Sequence, residues 1–385
     1  MAHLVRKYPA DKKLIYFSRF NNNPGSNGGD KRTAQLCDAL STFKYEFVSL
    51  ADMALPYKDK LKKILYKPSG FFKEKFLFFV KQYMTYNRYL QWNEQFREVV
   101  VNSHALSKVF VKTIAHNKPD MLFIDDPVFL APVVHYAKTA KIPLIAFCHN
   151  IESLSREQVS YPFQRVLLQY ELELIAKCDL VVTISKEETF LLRNLGMNPV
   201  YLPYFPLKTT FDSLQQVRNY RQESPKSDFL LFGTVGNLAT LEGMRKVISA
   251  ISSSGIIKQD RLIIAGYGTK ERIAQIDDPR IEVRGELSEV ELDKLLKEIK
   301  GCIVYQDNGS GALTKIPELL AAGVPVIINS HAARSHHNLP GIFEFETFEG
   351  LSEQMDAAAK SNHFPQILSP PDISSIVTRI LDLMN

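Results

Sequence analysis

Short apolar, β-branched runs recur along this chain, separated by longer stretches whose apolar residues follow helical spacing. Unbroken apolar runs suit strands buried on both faces, and the amphipathic stretches suit helices packed against them. Their alternation predicts an α/β fold built on parallel sheets. The pattern occurs twice. In the first half the expected strands are Leu14 to Phe17, Phe47 to Leu50, Met121 to Ile124, Leu144 to Phe147, Leu180 to Ile184 and Val200 to Leu202. A Pro-containing stretch, Leu202 to Pro206, and a polar, charged segment follow. The second set is then Phe229 to Phe232, Leu262 to Ala265, Ile281 to Val283, Ile303 to Tyr305 and Val326 to Ile328. Two Rossmann-like, doubly wound domains are expected, 1–205 and 206–370, facing across a cleft. Strand C-termini are where such sheets bind ligands, so both sets of ends become candidate sites.

Composition narrows the class. The 385 residues are 45% hydrophobic and 23% charged, a soluble globular balance. Met1 to Lys13 lacks the apolar core of a signal peptide, and no run reaches the roughly 18 apolar residues of a membrane span. The expected localisation is cytoplasmic. Cys37, Cys148, Cys178 and Cys302 are widely spaced, without CxxC or Cys/His patterns, and read as small core residues rather than disulfide or zinc ligands. The net charge of +5 is mild but uneven. Residues 58–90 interleave lysines such as Lys60, Lys63 and Lys75 with Phe71, Phe76, Phe79 and Tyr83. That composition fits a peripheral contact with an anionic membrane on its inner face. It equally fits a helical pair with aromatics in the core and lysines in water. Nucleic acid is a competing reading and is not the expected partner.

The chemistry concentrates in Y-Q-D-N-G-S-G-A-L-T-K-I-P-E-L-L-A-A-G-V-P-V-I, residues 305–327, which reads as strand, loop, helix, turn and strand. The loop Gly309, Ser310, Gly311 lets the backbone approach a ligand. The amides of Gly311, Ala312, Leu313, Thr314 and Lys315 then open a helix, a geometry that binds anions. Pro317 falls in the first turn, where its missing amide hydrogen costs little. Glu318 can offer two acceptor oxygens to neighbouring hydroxyls such as those of a ribose, and Lys315 can neutralise a diphosphate. Without a ligand the same stretch is a capped helix stopped by Gly323.

The ordered series L-I-I-A-G-Y-G-T at 262–269, I-E-V-R-G-E-L at 281–287 and the Glu318 stretch resembles the nucleotide-sugar-binding domain of GT-B glycosyltransferases, most closely glycosyltransferase family 4, over residues 228–330. The resemblance implies a donor such as a UDP- or GDP-sugar, used as a substrate, with no cofactor and no metal. It implies a glycan or lipid-linked acceptor, retention of anomeric configuration, and a C-terminal helix, 371–385, packed back on the first domain. In the family two glutamates with seven residues between them lie at this site. Glu318 matches the second and would hold the ribose, whereas Ser310 stands where the first is expected. The donor site would also include Arg284, Gly236 and Asn237. Asn237 occupies a position where the family often has Arg.

In the first domain N-P-G-S-N-G-G-D-K-R, residues 23–32, aligns Gly28 and Gly29 with a family glycine pair beside the donor phosphates. F-C-H-N-I-E-S, residues 147–153, puts His149 just past a strand, where it resembles the family's histidine near the sugar. His149, Lys315 and Glu318 are thus the expected catalytic set. Asp125 and Asp126 are adjacent and lack Asp-x-Asp spacing, so they read as no metal site. The rival readings are a catalytically silent relative that binds or scaffolds, supported by Asn237 and Ser310, and a nucleotide-sugar isomerase on the same fold.

Overall fold

The computed structural model describes residues 11–23, 25, 27–49, 109–154, 161–223, 225–257, 259–273, 276–361 and 368–384. The basic aromatic segment 58–90 lies outside them. The chain divides into two compact units. Unit 1 is Met1–Ile184, Glu188–Leu202 and Asp372–Asn385, and unit 2 is Ser185–Glu187 with Pro203–Pro371.

In unit 1 the strands are β1 (Leu14–Ser18), β2 (Tyr45–Ser49), β3 (Met121–Asp125), β4 (Leu144–Cys148), β5 (Leu180–Thr183) and β6 (Val200–Tyr201), all paired in parallel in the order β2-β1-β3-β4-β5-β6. Every residue of β1, β3 and β4 is buried. Ile15, Phe17, Leu122 and Ile124 enter one core, while Leu14, Tyr16, Met121 and Phe123 enter another. Successive side chains point to opposite faces of a strand, so an unbroken apolar run fills both layers. Helices α1 (Gly28–Ala39), α2 (Ala131–Ala140), α3 (Tyr161–Ile175) and α4 (Lys186–Asn194) intervene between strands.

Unit 2 begins with helix α5 (Lys208–Arg221). It continues as β7 (Ser227–Phe232), α6 (Leu238–Ser254), β8 (Leu262–Ala265), α7 (Thr269–Ile273), β9 (Ile281–Gly285) and α8 (Glu289–Glu298). Then come β10 (Ile299–Val304), α9 (Lys315–Ala321), β11 (Val326–Asn329), β12 (Ile342–Phe345) and α10 (Phe348–Lys360). The parallel sheet has the order β12-β11-β10-β7-β8-β9. Its two faces again divide alternate residues: Leu230, Ile263, Cys302 and Val304 lie in one core, and Phe229, Leu231, Ile264 and Ile303 in the other. Helix α11 (Ser374–Met384) returns to unit 1, where Ile376, Ile380 and Leu381 are buried with Leu14, Tyr16 and Leu36. Among the described residues no helix is long and apolar enough to cross a membrane.

Two elements depart most from the sequence pattern. Strand β10 starts at Ile299, four residues before its apolar run: Ile299 and Gly301 pair with Ser227 and Phe229 of β7, and Lys300 is held at 2.6 Å by Asp260. Strand β12 was not anticipated. It is a short edge strand, Ile-Phe-Glu-Phe, whose pairing with β11 rather than its own pattern defines it.

Candidate active site

In unit 2 the chain winds outward from β7 through β8 to β9, and outward from β10 through β11 to β12. The crossovers therefore diverge between the C-terminal ends of β7 and β10, which leaves a crevice there. Gly233 directly follows β7, and a Cβ on it would lie 2.8 Å from Lys315 Nζ and 2.7 Å from the Thr240 methyl. The side chain of Lys315 crosses this gap, donating from Nζ to the Phe232 carbonyl at 2.8 Å. Burial pulls its pKa from 10.5 to about 8. Only one of the ammonium's three N–H donors is used by that bond.

Helix α9 follows the Gly309–Gly311 loop. Thr314 caps it without a side-chain hydrogen bond, Lys315 opens it and Pro317 is its third residue. The amide of Ile316 is taken by the Leu313 carbonyl at 3.1 Å. Gly311, Ala312, Leu313 and Thr314 form the approach to the helix, with only Gly311 buried. Glu318 is half-buried, and its Oε1 accepts from the Tyr204 hydroxyl at 2.8 Å. Tyr204 itself is 7% exposed, so the bond fixes the carboxylate from beneath.

The β7–α6 loop borders the same crevice. Asn237 is the N-cap of α6, its side chain accepting from the Thr240 amide at 3.1 Å. Capping satisfies an amide the helix cannot bond internally, which gives Asn a structural reason to stand where a cation was anticipated. Gly236 beside it is exposed, and an added Cβ would meet only Thr234, at 3.6 Å. Arg284 is elsewhere: it is exposed on edge strand β9 and paired with Glu282 at 2.8 Å. The structure thus gathers Gly236, Asn237, Gly311, Ala312, Leu313, Thr314, Lys315 and Glu318 around one strand-end crevice, and leaves Arg284 at the sheet edge.

Unit 1 has its own divergence point, between β1 and β3. Asp125 ends β3 with its carboxylate accepting from Tyr16 at 2.5 Å, Thr33 at 3.0 Å and Ser18. Burial alone would raise its pKa, but His149 and the hydroxyls of Ser18 and Tyr16 hold it below the usual value. His149 Nε2 is 3.6 Å from Asp125 Oδ1, and the imidazole stacks on Phe20 with centroids 4.9 Å apart. Gly28 opens α1. Gly29 has a packing role, since a Cβ there would lie 2.1 Å from the Phe20 ring. Gly29 therefore sets the position of Phe20, and Phe20 that of His149.

Buried carboxylates hold the backbone around His149. Asp126 accepts from the His149 amide at 2.9 Å and Glu188 from the Ile151 amide at 2.7 Å. Glu171 accepts from the amides of Glu152 and Ser153, both at 2.8 Å. Burial pushes Glu171 up to about 8 and Asp126 to about 6. Asp126 also has φ of 42°, a left-handed backbone that costs a non-glycine residue energy and concentrates at functional positions. Arg19 lies 3.4 Å from Asp126, bonds Glu152 at 2.9 Å and covers the Phe129 ring at 3.7 Å.

Residues 64–203 match the model of the family described as Glycosyltransferase Family 4. Among solved structures, sucrose-phosphate synthase from Thermosynechococcus elongatus superposes with TM-score 0.60 at 13% identity, covering 97% of this chain and 95% of that one. HepE from Anabaena, solved in complex with UDP-glucose, gives 0.53 at 14% identity, with 90% of each chain covered. The UDP-GlcNAc 2-epimerase from Methanocaldococcus jannaschii gives 0.54 at 11% identity, covering 96% of this chain and 99% of that one. The fold is GT-B. No curated protein sequence matches the chain. The motifs that resemble family 4 lie in residues 228–330, yet the family model matches the other half of this GT-B chain. The second half is where Ser310 and Asn237 depart from the family pattern.

Sequence reasoning missed three side chains of the unit 2 crevice. Tyr204 sits in the Pro-containing linker and donates to Glu318 at 2.8 Å. Gln306 reaches Thr240 at 3.3 Å, and Arg334 reaches Gln306 at 3.1 Å. These are polar residues in loops, and no spacing rule joins them.

Proposed function

We propose that this chain is a glycosyltransferase that moves a sugar from a nucleoside diphosphate donor, a UDP- or GDP-sugar, to a hydroxyl of a glycan or glycolipid, with retention and without a metal. The observation that carries the reading is the Tyr204–Glu318 bond at the strand-end crevice of unit 2. It holds a carboxylate one turn into the helix that follows a glycine loop. There Glu318 would accept from the ribose hydroxyls, while the loop amides and Lys315 meet the diphosphate. Negative charge grows on that diphosphate as the sugar leaves, and preorganised donors facing it are the main catalytic requirement. In unit 1, Phe20 stacks on the His149 ring, Gly29 packs on Phe20 and Gly28 opens helix α1, and His149 is proposed as a sugar-binding residue. The match to family 4 and a GT-B relative solved with UDP-glucose support this reading.

A catalytically silent relative is the second reading, favoured by the use of Asn237 as a helix cap and by Ser310 in place of glutamate. Calorimetry with UDP and GDP, followed by assay of nucleoside diphosphate release from their sugars, separates the two. Glu318→Ala should weaken nucleotide binding by about 100-fold, the loss of two hydrogen bonds to a charged acceptor, with an unchanged circular dichroism spectrum. Unaltered affinity in that variant removes Glu318 from the site. Binding without release or transfer favours the silent reading.

A further inference from the structure

The loop that would meet the diphosphate is shaped from behind by one buried arginine. Arg334 lies after β11, in H-A-A-R-S-H-H-N, and is 9% exposed. Its Nε donates to the Gly311 carbonyl at 2.9 Å and its Nη2 to the Ser310 carbonyl at 3.0 Å and Gln306 Oε1 at 3.1 Å. Its Nη1 donates to the His331 carbonyl at 2.8 Å. The ring of His331 is 3.1 Å from the Gly309 carbonyl. Three successive carbonyls, those of 309, 310 and 311, are therefore drawn to the Arg334–His331 side.

A trans peptide sets its carbonyl and the next amide hydrogen on opposite sides, and the described residues contain no cis bond. Pulling in the carbonyls of 309, 310 and 311 thus aims the amides of Ser310, Gly311 and Ala312 the other way. Successive amides turned to one side form an anion-binding concavity. Gly309 completes the device: its φ is 109°, and an added Cβ would lie 3.3 Å from Arg334 Nη2. Gln306 relays the constraint across the crevice, joining Arg334 to Thr240 in the first turn of α6.

We infer that Arg334 is a positioning residue of the donor site: with His331 it orients the 309–311 backbone so that the loop amides recognise a diphosphate, without itself touching the donor. The inference rests on the donor reading given under Proposed function. Lysine at 334 keeps the charge but not the planar fork that bonds several carbonyls at once.

The test compares UDP with uridine, and GDP with guanosine, by calorimetry on the full chain, native and Arg334→Lys. The expected result is that the diphosphate loses about tenfold or more in affinity while the nucleoside, which lacks phosphate, keeps its own. A role confined to stability would shift melting temperature and leave the ratio of diphosphate to nucleoside affinity intact. Should Arg334→Lys not fold, His331→Ala removes an exposed partner of the same loop and carries the same expected loss of ratio, to a smaller extent. A ratio equal to that of the native chain overturns this inference alone. A native chain that binds neither UDP nor GDP overturns the donor reading and this inference with it.

Discussion

Lys315 is the residue whose chemistry is most sharply set by its surroundings. Its Nζ rests on the Phe232 carbonyl, and burial brings its pKa from 10.5 to about 8. A depressed pKa in a base means that the folded chain releases a proton that the unfolded chain retains. Between about pH 8 and 10.5 the unfolded state binds more protons, so for this group stability rises with pH across that window. Binding has the opposite sign. A diphosphate is attracted to the ammonium and not to the amine, so nucleotide affinity should fall as pH rises from 7 to 9. The Lys315→Met variant should bind more weakly at pH 7, by about tenfold for one charge-assisted bond, and should lose most of that slope. Calorimetric titration of UDP or GDP at several pH values checks this, with melting curves of the unliganded chain as the control of opposite sign. A slope that survives in Lys315→Met would assign the titration to another group.

Elements were legible where one rule decides them. The buried strands announce themselves as unbroken apolar runs, and β8 occupies the same residues, Leu262–Ala265, that the pattern marks. Strand β12 was hidden because a short edge strand takes its identity from its neighbour. The glycine loop and Glu318 could be found because their spacing follows the chain. Tyr204, Gln306 and Arg334 could not, since 114 residues separate Tyr204 from Glu318 and 28 separate Gln306 from Arg334. Asn237 shows the converse: its position next to a strand end suggested ligand contact, and the structure spends its side chain on a cap. Packing between elements explains Gly243, which the sequence left without a role. A Cβ on it would lie 2.2 Å from the Tyr305 carbonyl, so α6 runs directly against the end of β10. Alanine normally favours a helix over glycine by about 1 kcal/mol. Gly243→Ala should nonetheless destabilise the chain by about 1–3 kcal/mol, as overpacking does, because the helix must withdraw from backbone that has no rotamer to yield. Denaturant unfolding decides it; a more stable variant would mean that α6 moves without cost.

At the scale of the whole molecule the chain returns to unit 1 at its end. It leaves after Leu202 and comes back at Asp372, and the returning helix α11 buries Ile376, Ile380 and Leu381 against Leu14, Tyr16, Leu36 and Phe123. Ile376 and Ile380 stand one helical turn apart, which puts both on one face. Each large apolar side chain taken out of water stabilises by about 1.5–3 kcal/mol, and a whole domain is stable by only about 5–15 kcal/mol. Loss of this one helix should therefore remove a large part of the stability of unit 1, whose sheet would open one face to water. Unit 2 has separate cores, and among the described residues none of its side chains lies in that cluster. A chain ending at Pro371 should then show hydrogen exchange that quickens in β1, β3 and β4, while β7 and β10 keep their protection. Added UDP or GDP should still slow exchange in the Gly309–Glu318 stretch, because the residues proposed to hold the diphosphate and ribose belong to unit 2. Simultaneous loss of protection in both units would show that they unfold as one cooperative body. Loss of the nucleotide effect alone, with unit 2 still protected, would show that donor binding draws on unit 1 as well.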